Sequence, residues 1–231
     1  CRSFKRALLF AFIDNLSTLA HPGPKSSAMK VKRLLSEYGH WQEIDHVSTP
    51  HLSRWIELNP VGLIPKGNEI IRAKLQAWES GHLIPISLDP DLVSIQKLVN
   101  REGGDATASL RKMTHFSLLW NQRHNLIHRF MPIGINLEFP DGVAPYYIHL
   151  SSLASLTDSR EEGAFWQLIY PVGFLFRLAQ DCLVSVGAEL RDKEFDVTAH
   201  YRAGLFLLEE LNQHPHNCLL YTSPSPRDAT L

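Results

Sequence analysis

Apolar residues recur every three or four positions along most of this chain, and this spacing constrains its fold more than any other feature. At 3.6 residues per turn such positions share one face of a helix, and that face has to be buried against another element. The first run comprises Leu9, Phe12, Ile13, Leu16 and Leu19. The pattern predicts a mainly α-helical protein whose core lies between helix faces.

Residues that begin and end helices divide this pattern into segments. Ser26 or Ser27, Ser48 and Asp105 are suited to cap helices, because a short side-chain oxygen accepts a hydrogen bond from a free amide of the first turn. Proline cannot continue a helix, so Asn59-Pro60 should end one. Beyond the first run, we predict helices within residues 26–38, 48–58, 68–78, 89–99, 110–131, 171–190 and 197–211.

One segment has the period of a strand instead. In "INLEFPDGVAPYYIHLS" the residues Ile135, Leu137 and Phe139 alternate with polar ones, and Asp141-Gly142 is suited to a tight turn. We therefore predict one small β-hairpin at residues 135–151.

The clearest internal break is "NREGGD", which ends at Asp105. It predicts an N-terminal helical extension over residues 1–104 and a helical domain over residues 105–217 that contains the hairpin.

The last residues of the chain do not resemble a natural protein. The stretch "CLLYTSPSPRD", Cys218 to Asp228, back-translates without a mismatch into a DNA string that resembles a transposase adapter of sequencing libraries. We expect residues 218–231 to be an artefactual tail, which has to be excluded from reasoning about the fold. Since the chain also begins at Cys1 rather than Met, we expect the natural part, residues 1–217, to be a fragment open at both ends.

The charge and the cysteine content of the chain restrict the classes of function that it can have. The formal net charge of −1 argues against a large basic surface for duplex nucleic acid. Without the tail only two cysteines remain, Cys1 and Cys182. Two cysteines so far apart make neither a disulfide framework nor a zinc knuckle, and they fit a reducing, cytoplasmic compartment.

No apolar run approaches the roughly 18 residues of a membrane span. No P-loop or G-x-G-x-x-G motif is present, so no cofactor is predicted.

A charged residue interrupts the predicted helix 110–131. Arg123 projects from near the centre of its apolar stripe, where an unpaired charge would cost several kcal/mol. The neighbouring side of the helix carries Asn121, His124 and His128, and no Asp or Glu occurs between Asp105 and Glu138. The field along this helix should favour an anion such as phosphate. Apolar residues of the stripe are Phe116, Leu119, Trp120, Leu126, Ile127, Phe130 and Met131.

The segment "RHNLIH", Arg123 to His128, resembles the motif of the HEPN superfamily: Arg, a polar residue, three further residues and His. Its position on a long helix is also similar to that family. The resemblance implies a helical bundle, often dimeric, and in many members a metal-independent endoribonuclease that serves as a toxin or in antiviral defence. It further implies RNA as substrate and, for a toxin, an antitoxin protein as a possible partner.

The residue types suit that chemistry. When RNA is cleaved by its own 2′-hydroxyl, the reaction needs a base, an acid and a cation on the phosphate. By resemblance, His128 transfers a proton, Arg123 binds the phosphate, and His124 orients them. Asn121, Arg129 and Lys112 are candidate RNA contacts. A symmetric dimer would join two such helices and would also explain the arginine in the apolar stripe.

Other interpretations stay open at this point. Arg123 could pair with a buried carboxylate, such as Glu138 or Asp181, within a non-catalytic helical module. His124 and His128 could be a solvated helix edge, or a metal pair at the i, i+4 spacing. Aromatic residues of the hairpin could stack on bases or could pack in the core; they are Tyr146, Tyr147 and His149.

Overall fold

The computed structural model describes residues 2–100, 106–129, 138, 142–150 and 165–192. These residues are mainly helical, which confirms the predicted fold class. The helices are α1 (Arg2–Ala20), α2 (Ser27–Glu37), α3 (Thr49–Leu58), α4 (Pro65–Gln76), α5 (Leu92–Gln96), α6 (Ala106–Lys112), α7 (His115–Arg129) and α8 (Val172–Asp192). Two short 3₁₀ turns lie at Gln42–Asp45 and Ile86–Leu88. The predicted helix at 197–211 lies outside the described residues.

Local capping rules account for several helix starts. Ser26 caps α2, where its hydroxyl accepts a hydrogen bond from the amide of Met29. Asp91 caps α5 in the same way, through the amide of Ser94. Ser48 does precede α3, as predicted, but its hydroxyl makes no capping bond. That hydroxyl is used in the core instead, as described below.

A small antiparallel sheet accompanies the helices. Its strands are β1 (Ile84–Pro85), β2 (Tyr146–Leu150) and β3 (Phe165–Ile169), in the order β1-β2-β3. β2 is the second arm of the predicted hairpin, whereas the residues of the first arm, Glu138 excepted, lie outside the described ranges. β2 pairs with β3 along its whole length, from Tyr146 opposite Ile169 to Leu150 opposite Phe165. We did not predict β3.

The single long helix predicted over 110–131 is wrong, because it is interrupted at Met113 and Thr114. The interruption pairs with a distant segment: the amide of Ser48 bonds to the carbonyl of Met113, and the amide of His115 bonds to the carbonyl of His46. The hydroxyl of Thr114 then accepts from the amide of Ser117 and begins α7 anew. Strand-like pairing therefore replaces one turn of helix.

Residues 1–186 form one compact unit, and α1 packs against α7 within it. The main apolar cluster lies between α3, α4, α5 and α6; it contains Val47, Leu52, Ile56, Leu63, Ile71, Ile95, Leu110 and Met113. A second unit begins at Gly187, and only the end of α8 is described there. Among the described helices, none combines the length and the apolar character that crossing a membrane requires.

The cap of α5 gives a testable expectation. Asp91 accepts from both the amide and the hydroxyl of Ser94, at 2.8 and 2.6 Å, and these bonds lower the pKa of its carboxyl. We expect Asp91→Ala to lower the free energy of unfolding by about 1 kcal/mol in urea titrations at pH 7.

The difference between parent and Asp91→Ala should shrink on acidification. A lowered folded-state pKa stabilises the protein above the ordinary value of about 4, and this contribution is lost as the pH falls through the folded-state pKa. A difference that stays constant from pH 7 to pH 3 would contradict the capping interpretation. The control Asp192→Ala removes an exposed carboxylate at the end of α8 and should change the free energy of unfolding by no more than about 0.5 kcal/mol at pH 7.

Candidate functional site

The C-terminal half of α7 brings three of the predicted site residues together. The guanidinium Nη1 of Arg123 lies 3.3 Å from Nε2 of His128. The rings of His124 and His128 lie one turn apart, with 4.6 Å between their centroids. Both imidazoles are exposed, whereas Arg123, which directly precedes His124 on α7, is half-buried. The helix therefore presents two imidazoles to solvent beside a positively charged group.

Arg123 is paired within the chain, but with neither of the carboxylates considered from the sequence. Its Nε donates at 3.1 Å to Oδ2 of Asp14 on α1, and its Nη2 donates to the same oxygen. The guanidinium carbon also lies 4.8 Å from the ring centroid of Trp120, one turn earlier on α7. Glu138, one of the expected partners, binds Arg6 instead.

This environment explains how an arginine can lie in an apolar stripe. A carboxylate and an aromatic face offset the cost of removing its charge from water. Phe10, Ile13, Leu119 and Trp120 line a void of about 10 Å³ beside the Arg123–Asp14 pair, so the surroundings are otherwise apolar. No second subunit is needed to explain the position of Arg123.

The predicted RNA contacts are dispersed. Asn121 is exposed on α7, one turn before the imidazoles. Lys112 is exposed at the end of α6, and α7 rises roughly 20 Å between His115 and His128. Lys112 could therefore reach only a nucleotide several positions from one held at His128. The side chain of Arg129 lies outside the described residues.

The contact between Arg123 and His128 constrains the imidazole. A guanidinium only donates hydrogen bonds, so the nitrogen that faces it, Nε2 of His128, must carry a lone pair. Nε2 of His128 is therefore the acceptor in this contact. Within the described part of the chain, no three histidine, cysteine or carboxylate side chains are grouped to hold a metal ion.

The chain matches no protein-family model, no curated protein and no solved structure. The HEPN resemblance therefore rests on the residues of α7 alone.

Asp14 was not predicted as a site residue, although its position in the sequence indicates that it needs a partner. It is the only acidic residue before Glu37, and it interrupts an apolar stretch. A lone carboxylate on the inner side of an amphipathic helix needs a cationic partner. Which of the many basic residues provides it depends on how α1 packs on α7, and spacing along the chain does not give that.

Two further groups singled out from the sequence are structural. Tyr146 and Tyr147 are buried and cannot stack on bases, whereas His149 is partly exposed and packs on Trp166 across the sheet. Cys182 is fully buried, and burial raises the pKa of its thiol to about 12, so it is a core residue and not a nucleophile.

A second polar cluster is buried in the fold except at His51, which is exposed. Oδ2 of Asp89 contacts Nε2 of His115 at 2.9 Å and accepts from the hydroxyl of Tyr147, while its Oδ1 accepts from the amide and hydroxyl of Thr49. Tyr147 also contacts Ser48, whose hydroxyl meets Nδ1 of His51. Asp89 is 3% exposed, and the side chains that bond to it are more deeply buried still. A substrate cannot reach Asp89, and we assign this buried cluster to stability.

Proposed function

We propose that this chain is a metal-independent endoribonuclease of the HEPN type. The observation that carries the proposal is the contact of 3.3 Å between Arg123 and His128, with the exposed ring of His124 beside it. Two exposed imidazoles beside a half-buried cation are the groups that cleavage of a phosphodiester by its own 2′-hydroxyl requires.

In the proposed reaction, Nη1 of Arg123 leaves Nε2 of His128 for the phosphate, and that nitrogen of His128 takes the proton of the 2′-hydroxyl. The freed oxygen attacks phosphorus, the bond from phosphorus to the 5′-oxygen breaks, and an imidazolium returns a proton to that oxygen. The products are a 2′,3′-cyclic phosphate and a 5′-hydroxyl. Arg123 offsets the charge that develops on the phosphate oxygens, where a planar fork of N–H donors fits best. His124 lies close enough to orient His128 or to serve as the acid.

The proposal includes a homodimer, in which a second copy of the helix would supply further imidazoles. A role as a toxin or in phage defence, with an antitoxin protein as partner, follows from the resemblance and belongs to the same proposal. Measurement of the molar mass by light scattering, with and without RNA, tests the dimer separately from the chemistry.

An RNA cleavage assay in EDTA tests the activity. We expect the parent to cleave single-stranded RNA and to leave 2′,3′-cyclic phosphate ends. Loss of His128 in His128→Ala should lower the rate by about 10²–10⁴-fold, the usual contribution of a proton-transfer group. Loss of the charge in Arg123→Ala should lower it by about 10²–10³-fold.

Matched controls are available on exposed surfaces of the same fold. His82→Ala removes an imidazole whose side chain is 70% exposed, and Arg54→Ala removes a guanidinium that is 69% exposed. Both should leave the rate within twofold of the parent. Equal cleavage by the parent and all four variants would point to a contaminating nuclease, and that result would overturn the proposal.

The pairing of Arg123 with Asp14 favours a second candidate function. Since the guanidinium is already neutralised within the chain, α7 could serve as a surface for a partner without any chemistry. In that case the folded parent does not cleave RNA, and His128→Ala behaves like the parent in every respect except the affinity for that partner.

A further inference from the structure

A guanidinium can be bound along two edges, and in Arg123 these edges face different groups. The edge formed by Nε and Nη2 is occupied by a single oxygen of Asp14. The other edge ends in Nη1, which points at Nε2 of His128. A phosphate bound by Nη1 and the second hydrogen of Nη2 would lie beside the imidazole without displacing Asp14.

The orientation of Arg123 is fixed from two directions. Trp120 supports the flat face of the guanidinium, and Asp14 holds one edge from the neighbouring helix. The residues next to Asp14 on α1 are anchored, because Ile13 and Leu16 are buried in the core. An arginine side chain loses rotamer entropy when it is ordered, and Asp14 removes part of that cost before any ligand binds.

We propose that Asp14 is a positioning residue of the ribonuclease site, which it serves by holding the Nη1–Nη2 edge of Arg123 toward His128. The inference rests on the proposed function and adds to it a residue from the N-terminal helix. Displacement of a catalytic group by about 1 Å can cost about 10²-fold in rate. A negative charge near the site also repels phosphate, so Asp14 should aid the chemical step and not the binding of RNA.

These two effects give a signature that separates positioning from a merely structural role. In Asp14→Asn, which has nearly the same shape, we expect kcat on a short RNA to fall by about 10- to 100-fold. KM should stay unchanged or decrease, because the repulsion is gone. Asp14→Glu keeps the carboxylate and should hold kcat within about threefold of the parent. The matched control is Asp45→Asn, which breaks the half-exposed pair with Lys32 and should change neither constant.

The outcomes distinguish this inference from the proposed function. If the parent cleaves and Asp14→Asn has the parental kcat, the positioning role is overturned while the nuclease stands. If kcat in Asp14→Asn rises, Asp14 competes with phosphate, and the positioning role is again overturned. If the parent does not cleave at all, the proposed function and this inference fall together. Should Asp14→Asn not fold, Asp14→Glu decides, since a loss of more than about threefold with a normal thermal transition would contradict the expected rescue.

Discussion

Asp89→Ala is expected to lower the free energy of unfolding by about 3–5 kcal/mol, the cost of removing one partner from a buried ionic or strongly polar pair. The carboxylate of Asp89 is 3% exposed and receives bonds from three side chains: Thr49, His115 and Tyr147. Without it the hydroxyl of Thr49 and Nε2 of His115 remain inside the protein without this acceptor, and each pays its desolvation penalty, whereas the hydroxyl of Tyr147 still has Ser48. The hydroxyl of Tyr147 already shows the effect of this environment, since burial and the nearby Asp89 raise its pKa well above 10.

Urea unfolding followed by far-ultraviolet circular dichroism measures this effect. Asp89→Asn should lose less than Asp89→Ala, because an amide oxygen can still accept from the amide and hydroxyl of Thr49. The control Asp45→Ala removes a carboxylate that is 49% exposed and should cost no more than about 1 kcal/mol. A loss below about 1 kcal/mol in Asp89→Ala would mean that the cluster is not buried in solution.

Glu138→Ala is expected to cost a similar amount, about 3–5 kcal/mol, for a related reason. Oε2 of Glu138 accepts from Arg6 at 3.0 Å, and the two side chains are 7% and 6% exposed. The other oxygen, Oε1, accepts at 2.6 Å from the amide of Val172, the first residue of α8. One carboxylate therefore connects α1 to the N-terminus of α8, whose partial positive charge it also complements. Burial lowers the pKa of Arg6, and Glu138 opposes that shift.

A double variant distinguishes the contribution of the Arg6–Glu138 ion pair to stability from the effect of burying each side chain. Arg6→Met in the background of Glu138→Ala removes the stranded charge and should recover at least 1 kcal/mol of the loss in urea titrations. Glu57→Ala, which breaks a surface pair with Arg54, is the control and should cost no more than about 1 kcal/mol. If the two core substitutions are simply additive, the ion pair contributes nothing to stability.

The local part of the fold could be predicted from sequence, because capping and apolar spacing depend on neighbours within one or two turns. The start of α2 at Ser26 and the end of α3 at Asn59 are of this kind. The interruption of the helix at Thr114 could not be predicted, because its backbone partners lie at residues 46–48. β3 also depends on a distant partner, and its sequence "FWQLI" carries a polar residue at only one position.

The candidate site, like the fold, has a part that depends on local spacing and a part that depends on a distant partner. Arg123, His124 and His128 share a helix, so their spacing alone predicts that they lie together. Asp14 joins them only because α1 packs on α7, and the spacing of residues along the chain does not give that packing. The sequence did indicate that Arg123 needed a partner or a polar surface, since an unpaired buried charge is too costly.

The strand-like interruption between α6 and α7 has a consequence for folding kinetics. The backbone bonds that join Met113 and His115 to residues 46–48 close a loop of about 65 residues, and contacts of such long range slow the search for the native state. Helices α6 and α7 can each begin to form within microseconds, but their relative angle is set only when this loop closes. During synthesis on the ribosome, residues 46–48 emerge first, and they cannot pair until Met113 and His115 have also been synthesised. A polypeptide that begins at residue 105 would lack those partners altogether and could not fix the angle at which α7 leaves α6.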